Sequence, residues 1–369
     1  MDKSYIGVNK YQLDTPALVV DKHKLLHNII EMQQFAQAKN IAVRPHAKTH
    51  KSSVICKLQL EHGAVGICVA KVSEAYGLAR AGIKSILITS PVVTTEKINT
   101  LLEVLRLSPD TMLVIDNLDN AAMLNGALKD NGLKLDILLD IDGGIARTGV
   151  ALDNAVAIAK KLNEFSHVRF KGIQCYAGHL QHIADLSARR LASKAILEQV
   201  GKIEQQLCSE GIDCQIQTGS GTGTFELDAE IDTVTEIQPG SYTVMDQEYS
   251  NIEYKSCKFK TAMTLLTSVI STNSTSHVTV DAGTKTLYQV ATMPRVVSHQ
   301  GLNYSWDGFG DEHGKITADS GVALPQLGEV LELVVGHCDP TINLFDYFYI
   351  TENDIVVDRW KIDLRGKSQ

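Results

Sequence analysis

Residues 112–141 read MLVIDNLDNAAMLNGALKDNGLKLDILLDI. Met112–Ile115 is a short, β-rich apolar run. Asn117–Lys129 carries apolar residues at helical spacing, and Asp136–Ile141 returns to a strand pattern. A strand, a helix and a second strand in this order form a βαβ unit, with parallel strands and a right-handed crossover.

The unit recurs on both sides. Further short β-rich runs fall at Ile41–Arg44, Val65–Val69, Ser85–Thr89, Phe170–Cys175, Cys214–Gln217 and Thr233–Ile237. Helical periodicity lies between them, at Asp21–Ala38, Thr95–Leu105, Asp153–Phe165 and Ile183–Ser209. Eight strands over residues 22–240 predict an α/β fold built on a closed (β/α)8 TIM barrel, an architecture of about 250 residues. A doubly wound open sheet has the same alternation and is the rival. The weakest link is Thr224–Thr233, which barely holds a helix.

After Asp246 the texture changes. Lys258–Ser271, His277–Asp281, Val330–Val335, Phe345–Thr351 and Asp354–Trp360 are rich in Val, Thr, Ile, Phe and Tyr, with turn residues between them. These predict a C-terminal, mainly antiparallel β domain. Tyr11–Val20 precedes the first long helix and can pair with that domain. The expected division is a barrel over 22–245 and a β-rich unit made of 1–21 plus 246–369.

Composition bounds the function. A chain of 369 residues suits two domains, and 44% hydrophobic with 21% charged residues is ordinary for a packed globular protein. The net charge of -8 (35 Lys+Arg against 43 Asp+Glu) and the lack of a basic block argue against a nucleic-acid partner. No run approaches the roughly 20 apolar residues of a membrane span. Met1–Asn9 has no apolar segment of the secretory kind, so no signal peptide is expected. Seven cysteines, at 56, 68, 175, 208, 214, 257 and 338, include no CxxC pair. The odd count and low density favour reduced thiols in the cytoplasm.

In a βα barrel, side chains at the C-terminal strand ends face the active site. Past the first strand comes Arg44-Pro45-His46-Ala47-Lys48-Thr49-His50-Lys51. A partly desolvated Lys48 among other cations suits Schiff-base chemistry; a solvated basic loop reads the same way. Past the fifth, Asp140-Ile141-Asp142-Gly143-Gly144 leads to Arg147, either a fork for an oxygen anion or a surface residue of a glycine turn. Past the sixth, Tyr176-Ala177-Gly178-His179-Leu180-Gln181-His182 offers a candidate general base, with one His expected to pack under the rim.

The seventh strand ends in Thr218-Gly219-Ser220-Gly221-Thr222-Gly223-Thr224. It is not a P-loop, since no Lys follows, nor a dinucleotide fingerprint, since Thr224 stands at the third glycine. Its backbone N–H groups and hydroxyls suit a phosphate, as barrel phosphate sites lie on the last strands, or simply a flexible turn. Late in the chain, Gly336-His337-Cys338-Asp339-Pro340-Thr341 follows a strand. If the strand continues, His337 and Asp339 share one face, as a divalent metal requires. A capping Asp before Pro is the commoner explanation of such a pair.

Together these pieces resemble the D-threonine aldolase and D-serine dehydratase group of fold-type III pyridoxal phosphate enzymes, relatives of alanine racemase. The matching residues include Asp14–Val20, Arg44–Lys51, Lys71–Ala75, Gly219–Thr224, Gln238-Pro239-Gly240-Ser241-Tyr242, Asp281–Gly283, Asp311–Gly314 and Gly336–Thr341. The resemblance spans nearly the whole chain. It implies a barrel with a C-terminal β domain, a homodimer and a small D-amino acid substrate. It further implies that Lys48 holds pyridoxal 5'-phosphate. The phosphate falls to Gly219, Ser220, Gly221, Thr222, Gly223 and Thr224 with Tyr242. Arg147 and Tyr176 flank the ring, and His337 and Asp339 bind the metal. Dehydratases of the group place Cys two residues after the His; here that residue is Asp339, and the harder oxygen ligand favours Mn²⁺ or Mg²⁺ over Zn²⁺. Two departures stand out. His179 replaces a small or apolar residue and is a conjectural cation for a distal substrate carboxylate; Ser220 replaces a more usual glycine.

The implied reaction is a retro-aldol cleavage of a D-β-hydroxy-α-amino acid, with His182 as base. A β-eliminating D-serine or D-threonine dehydratase and a D-3-hydroxyaspartate aldolase are the alternatives. A non-enzymatic pyridoxal phosphate carrier is disfavoured by the long β-rich part and the His337/Asp339 pair.

Overall fold

The computed structural model describes residues 5–369. Residues 1–4, which belong to the 1–21 boundary and to the signal-peptide expectation, lie outside the described residues.

The first strand, β1 (Ala17–Asp21), leads directly into α1 (Lys22–Lys39). Alternation then runs through β2 (Ala42–Val43), α2 (Ser53–Glu61), β3 (Ile67–Val69), α3 (Val72–Arg80), β4 (Ile86–Ile88), α4 (Thr95–Leu107), β5 (Met112–Ile115) and α5 (Leu118–Asp130). It continues through β6 (Leu135–Asp142), α6 (Leu152–Leu162), β7 (Val168–Tyr176), α7 (Leu186–Ser209), β8 (Ile216–Gly219), α8 (Phe225–Asp228) and β9 (Glu236–Ile237). Strands β2 to β9 form one all-parallel sheet in the order β2-β9-β8-β7-β6-β5-β4-β3. Its ends meet: His46 bridges to Cys68, and Cys68 N donates to Pro45 O at 2.9 Å. The open doubly wound sheet is thereby replaced by a closed ring. The weak link is real, since α8 has four residues.

Strand β6 shows how sequence positions the barrel. Ile137, Leu139 and Ile141 pack in the cluster under the helices. Leu138 packs inside the ring with Cys68, Leu87, Met112 and Val114. The two-residue period therefore turns Asp140 inward, toward the C-terminal mouth. There its carboxylate accepts from Gln174 Nε2 at 3.0 Å and Thr148 Oγ1 at 2.8 Å. Truncating a fully buried Leu such as Leu138 to Ala costs about 2–5 kcal/mol.

The second sheet contains β10 (Met263–Ser271), β11 (Val278–Val280), β12 (Arg295–Val296), β13 (Leu302–Ser305), β14 (Gly314–Ala318), β15 (Val330–Val334), β16 (Tyr347–Glu352) and β17 (Ile355–Lys361). Its order is β13-β14-β11-β10-β1-β16-β17, with β15 between β10 and β12. Strand β1 lies antiparallel to β10 and parallel to β16, the one parallel pair among the described strands of this sheet.

One local expectation fails. The strand after Val330 does not run on to Asp339: β15 ends at Val334, and a short helix, α10 (Cys338–Ile342), begins two residues after Gly336. His337 is extended and caps that helix, while Pro340 falls in its first turn, where a missing N–H costs nothing.

Candidate active site

A cavity of about 630 Å³ opens at the C-terminal mouth of the barrel, walled on one side by the second sheet's unit. Lys48, Arg147, Tyr176, His182, Ser220, Gly221, Thr222, His337 and Asp339 all line it. Four other expected residues do not. Gly219 lies behind the wall, where a Cβ would meet Cys175 O at 2.0 Å. Gly223 N donates to Gln181 Oε1 at 2.9 Å, and Thr224 Oγ1 accepts from Gln181 Nε2 at 3.0 Å. The Tyr242 ring is buried beside Phe259, and its hydroxyl accepts from Gln59 Nε2 at 3.1 Å. A phosphate role for that hydroxyl is therefore corrected: Tyr242 braces the loop from behind, its backbone N donating to Thr222 Oγ1 at 3.1 Å. His179 is exposed beside Gly144 and outside the cavity lining, so its conjectured role at a distal substrate group has no geometric support.

The two lysines of the first strand's exit separate clearly. Lys51 Nζ pairs with Glu74 Oε1 at 2.6 Å, and Glu74 is fully buried. Lys48 has no acid partner among the described residues; its Nζ lies 5.8 Å from the centre of the Tyr176 ring. Arg147 approaches the same ring at 5.6 Å. Beside Lys48, His46 Nδ1 faces the Lys48 backbone N–H at 3.4 Å and Nε2 meets Thr89 Oγ1 at 3.0 Å. Burial, with the Lys48 charge adding to it, keeps the His46 imidazole neutral by lowering its pKa well below the usual value.

The glycine loop can take an anion. Thr222, Gly240 and Ser241 are buried, and their backbone N–H groups find no protein acceptor among the described residues. Buried N–H groups need a partner. Side chains are excluded there: a Cβ on Gly221 would sit 2.3 Å from Gln181 Oε1, and one on Gly240 2.5 Å from Thr49 Oγ1. Ser220 adopts a left-handed φ of 71°, and its hydroxyl turns to the buried Asp228. The residue that replaces a glycine thus keeps its backbone toward the cavity. A phosphate fits this cradle, and Lys48 lies in the same cavity.

In the same cavity, His337 Nδ1 lies 2.9 Å from Asp246 Oδ2. Burial opposes charge on His337, but the Asp246 hydrogen bond and the Asp339 and Glu248 carboxylates outweigh it and push its pKa up to about 9. Asp339 accepts from Ser241 Oγ at 2.9 Å. Burial alone raises the Asp339 pKa; Lys48, His337 and the Thr49 and Ser241 hydroxyls together hold it below the usual carboxylate value. Asp246, His337 and Cys338 bring donor atoms within 4.8 Å of one another, a grouping able to hold a metal ion. Only His337 of those three lines the cavity, where Asp339 joins it. Cys338 is fully buried and burial raises its thiol pKa, so a thiolate is not presented. Imidazole with carboxylate is a donor set that fits a divalent ion. His182 completes the wall, its ring 5.1 Å from Tyr249 and 6.4 Å from His337.

Sequence reading assigned no role to Asp246, Tyr249, Gln181 or Lys71. Lys71 and Tyr249 line the cavity, Asp246 lies behind His337, and Gln181 lies behind the glycine loop. Lys71 alone carried a signal, as the residue that follows a strand end.

Residues 20–248 match the alanine racemase N-terminal domain family, and residues 262–351 match the serine dehydratase domain family. Over 97% of its length the chain is 36% identical to D-threonine aldolase of Arthrobacter sp., covering 94% of that protein. It is 34% identical to 3-hydroxy-D-aspartate aldolase of Paracoccus denitrificans, over 98% of this chain and 94% of the relative. This chain belongs to the D-threonine aldolase and D-serine dehydratase-like family. The crystal structure of D-threonine aldolase from Filomicrobium marinum superposes with a TM-score of 0.94 at 33% identity, over 99% of this chain and 98% of that one. Membership of the D-threonine aldolase and D-serine dehydratase-like family agrees with the alanine racemase-like barrel and with the cavity at its mouth. No described helix is long and apolar enough to cross a membrane.

Proposed function

We propose that this protein is a pyridoxal phosphate- and divalent metal-dependent aldehyde-lyase that cleaves D-β-hydroxy-α-amino acids, taking D-threonine to glycine and acetaldehyde. The observation that carries this reading is the donor set that shares the cavity with Lys48: an imidazole and a carboxylate line it while the neighbouring Cys338 thiol is buried. Oxygen and nitrogen donors favour Mn²⁺ or Mg²⁺, and they fit an aldolase better than a thiolate-using dehydratase.

When bound, pyridoxal phosphate supplies an electron sink at the substrate Cα and the metal supplies a Lewis acid at the β-hydroxyl. Lys48, an amine lining the cavity, would be the residue that holds the cofactor covalently. The N–H groups of Thr222, in the loop Gly219–Thr224, and of Gly240 and Ser241, after β9, would hold the phosphate. Arg147 and Tyr176 flank the ring. His337 and Asp339 hold the metal and orient the hydroxyl. His182 takes the β-hydroxyl proton, directly or through water, as the Cα–Cβ bond breaks and the aldehyde carbonyl forms. Return of that proton from His182 to Cα, directly or through water, would balance the reaction and give glycine. In this reading the barrel of 22–245 binds the cofactor, and the unit of 1–21 plus 246–369 brings the metal pair.

One observation favours a dicarboxylic variant of the substrate. Lys71 lines the cavity with an exposed ammonium and has no acid partner among the described residues, so a D-3-hydroxyaspartate side chain finds a cation there. The seven free cysteines fit a reducing cytoplasm, and the family resemblance points to a homodimer.

The test is a product assay with D-threonine, with and without EDTA. Glycine and acetaldehyde that disappear on chelation and return with Mn²⁺ are expected. 2-Oxobutyrate and ammonia would sink the aldolase reading, and full activity after chelation would sink the metal role. Relative turnover of D-threonine and D-3-hydroxyaspartate decides the substrate.

A further inference from the structure

The turn 246–249 is bound to the His337 segment along its whole length. Gln247 N donates to Val335 O at 3.0 Å and Glu248 N to Gly336 O at 3.2 Å. Asp246 itself has no exposed surface. Its Oδ1 accepts from Tyr249 N at 2.8 Å and caps α9 (Gln247–Ser250). Its Oδ2 accepts from Cys338 N at 2.8 Å and pairs with His337 Nδ1 at 2.9 Å. A carboxylate meeting three N–H donors is acceptor-only and fixed in orientation. Across the same turn, Tyr249 contacts both imidazoles, 5.1 Å from His182 and 6.2 Å from His337.

We infer that Asp246 is the positioning residue of the metal site: it holds the proton of His337 on Nδ1 and leaves Nε2 as the nitrogen offered to the metal. The inference rests on the reading of His337 as a metal ligand. The physical reason is the tautomer. Only one nitrogen of a neutral imidazole bears a proton, and the hydrogen bond made by that nitrogen decides which lone pair is free. With Oδ2 on Nδ1, the neutral ring that a metal would bind has its lone pair on Nε2, and the ring cannot rotate without losing a buried partner. Asp246 does not act as a ligand, because its oxygens are already engaged by Tyr249, His337 and Cys338. A sequence motif could not reveal this relation: the two residues are 91 positions apart and meet only because α9 docks on the end of β15.

Replacing Asp246 by Asn tests the assignment. An amide presents –NH₂ where the carboxylate presents oxygen, so either Tyr249 N or the His337/Cys338 pair loses its acceptor. The pyridoxal phosphate-loaded full-length protein is stripped of metal and titrated with Mn²⁺, free ion being read by electron paramagnetic resonance. For Asp246→Asn the Kd for Mn²⁺ is expected to rise about 10- to 100-fold, with cofactor stoichiometry kept. A Kd within twofold of the wild type overturns the inference. A loss as complete as that of His337→Ala also overturns it, making Asp246 a ligand. His337→Ala separately tests the underlying reading: if it binds Mn²⁺ like the wild type, His337 is not a ligand at all. Should Asp246→Asn fail to fold, the wild type loaded with Mg²⁺ gives the answer through ¹⁵N spectra of its histidines. A proton on His337 Nδ1 is expected, and a proton on Nε2 overturns the assignment.

Discussion

Lys51 and Glu74 form an ion pair of 2.6 Å, with side-chain exposures of 11% and 1%. That pairing leaves Lys48, of the two lysines after β2, as the one lining the cavity. Borohydride reduction of the cofactor-loaded protein, followed by peptide mapping, is expected to label Lys48; label on Lys51 would reverse the assignment. Lys51→Met keeps the covalent cofactor but exposes Glu74 as an unpaired buried carboxylate. A loss of about 3–5 kcal/mol in urea unfolding is expected.

Gln181 connects two parts of the site. Its carboxamide contacts Gly223 N and Thr224 Oγ1, and the next residue is His182. Gln181→Leu leaves the buried Gly223 N–H without its acceptor, at roughly 1–3 kcal/mol, while Thr224 Oγ1 keeps its bond to Asp228 Oδ2. Fluorescence titration should show pyridoxal phosphate affinity reduced by about tenfold or more. Unchanged affinity would show that the loop holds its shape without the carboxamide.

Cys338 separates the aldolase and dehydratase patterns. It is fully buried, packed on one side in the apolar cluster, with its Sγ 3.4 Å from Asp339 Oδ1 on the other. Cys338→Ala is expected to leave Mn²⁺ affinity within twofold, by calorimetric titration. A tenfold loss would mean that the thiol reaches the metal.

Asp140 supplies a pH signature. Burial, with the Asp116 charge adding, pushes its pKa up to about 6, against hydrogen bonds from Gln174 and Thr148 that act the other way. A carboxyl whose folded pKa lies above its unfolded one binds its proton better when folded. Its contribution to stability is full below about pH 4 and is lost as the pH rises through 6. Asp140→Asn is therefore expected to exceed the wild type in stability at pH 7.5 by about 1–3 kcal/mol, with no advantage at pH 4. The check is urea unfolding of the cofactor-free protein at both pH values; an advantage that grows toward acid contradicts the sign.

Much of this architecture was legible locally. Asp136–Ile141 was legible as a strand from its apolar run, but which of Leu138 and Leu139 faces inward was not, because a strand buried on both faces shows no polar alternation. The glycine loop announced an anion site through composition, and Lys48 through its place after a strand. What failed depended on distance. The chemistry of Tyr242 suits a phosphate, yet its ring fills a gap beside Phe259, which no local pattern encodes. The path of His337 and Asp339 was expected as a strand, but Gly336 and Pro340 turn it into a helix start. Asp246 carried no local signal, because His337 and Cys338, which its Oδ2 meets, lie more than 90 positions away in the sequence.

Strand β1 has a consequence for how the chain is made. Its neighbours are β10, some 245 residues later, and β16, more than 325 residues later by the pairing of Val19 with Thr264 and Tyr349. During synthesis the barrel strands leave the ribosome first, and domains fold largely in that order. For most of that interval β1 has two open edges, each a template for foreign strands. Its fully buried Leu18 and Val20 make those edges sticky. His337 and Asp339 are made about 100 residues after Gly240 and Ser241, so a ribosome-stalled nascent chain should carry the buried N–H groups of Thr222, Gly240 and Ser241 long before this imidazole and carboxylate.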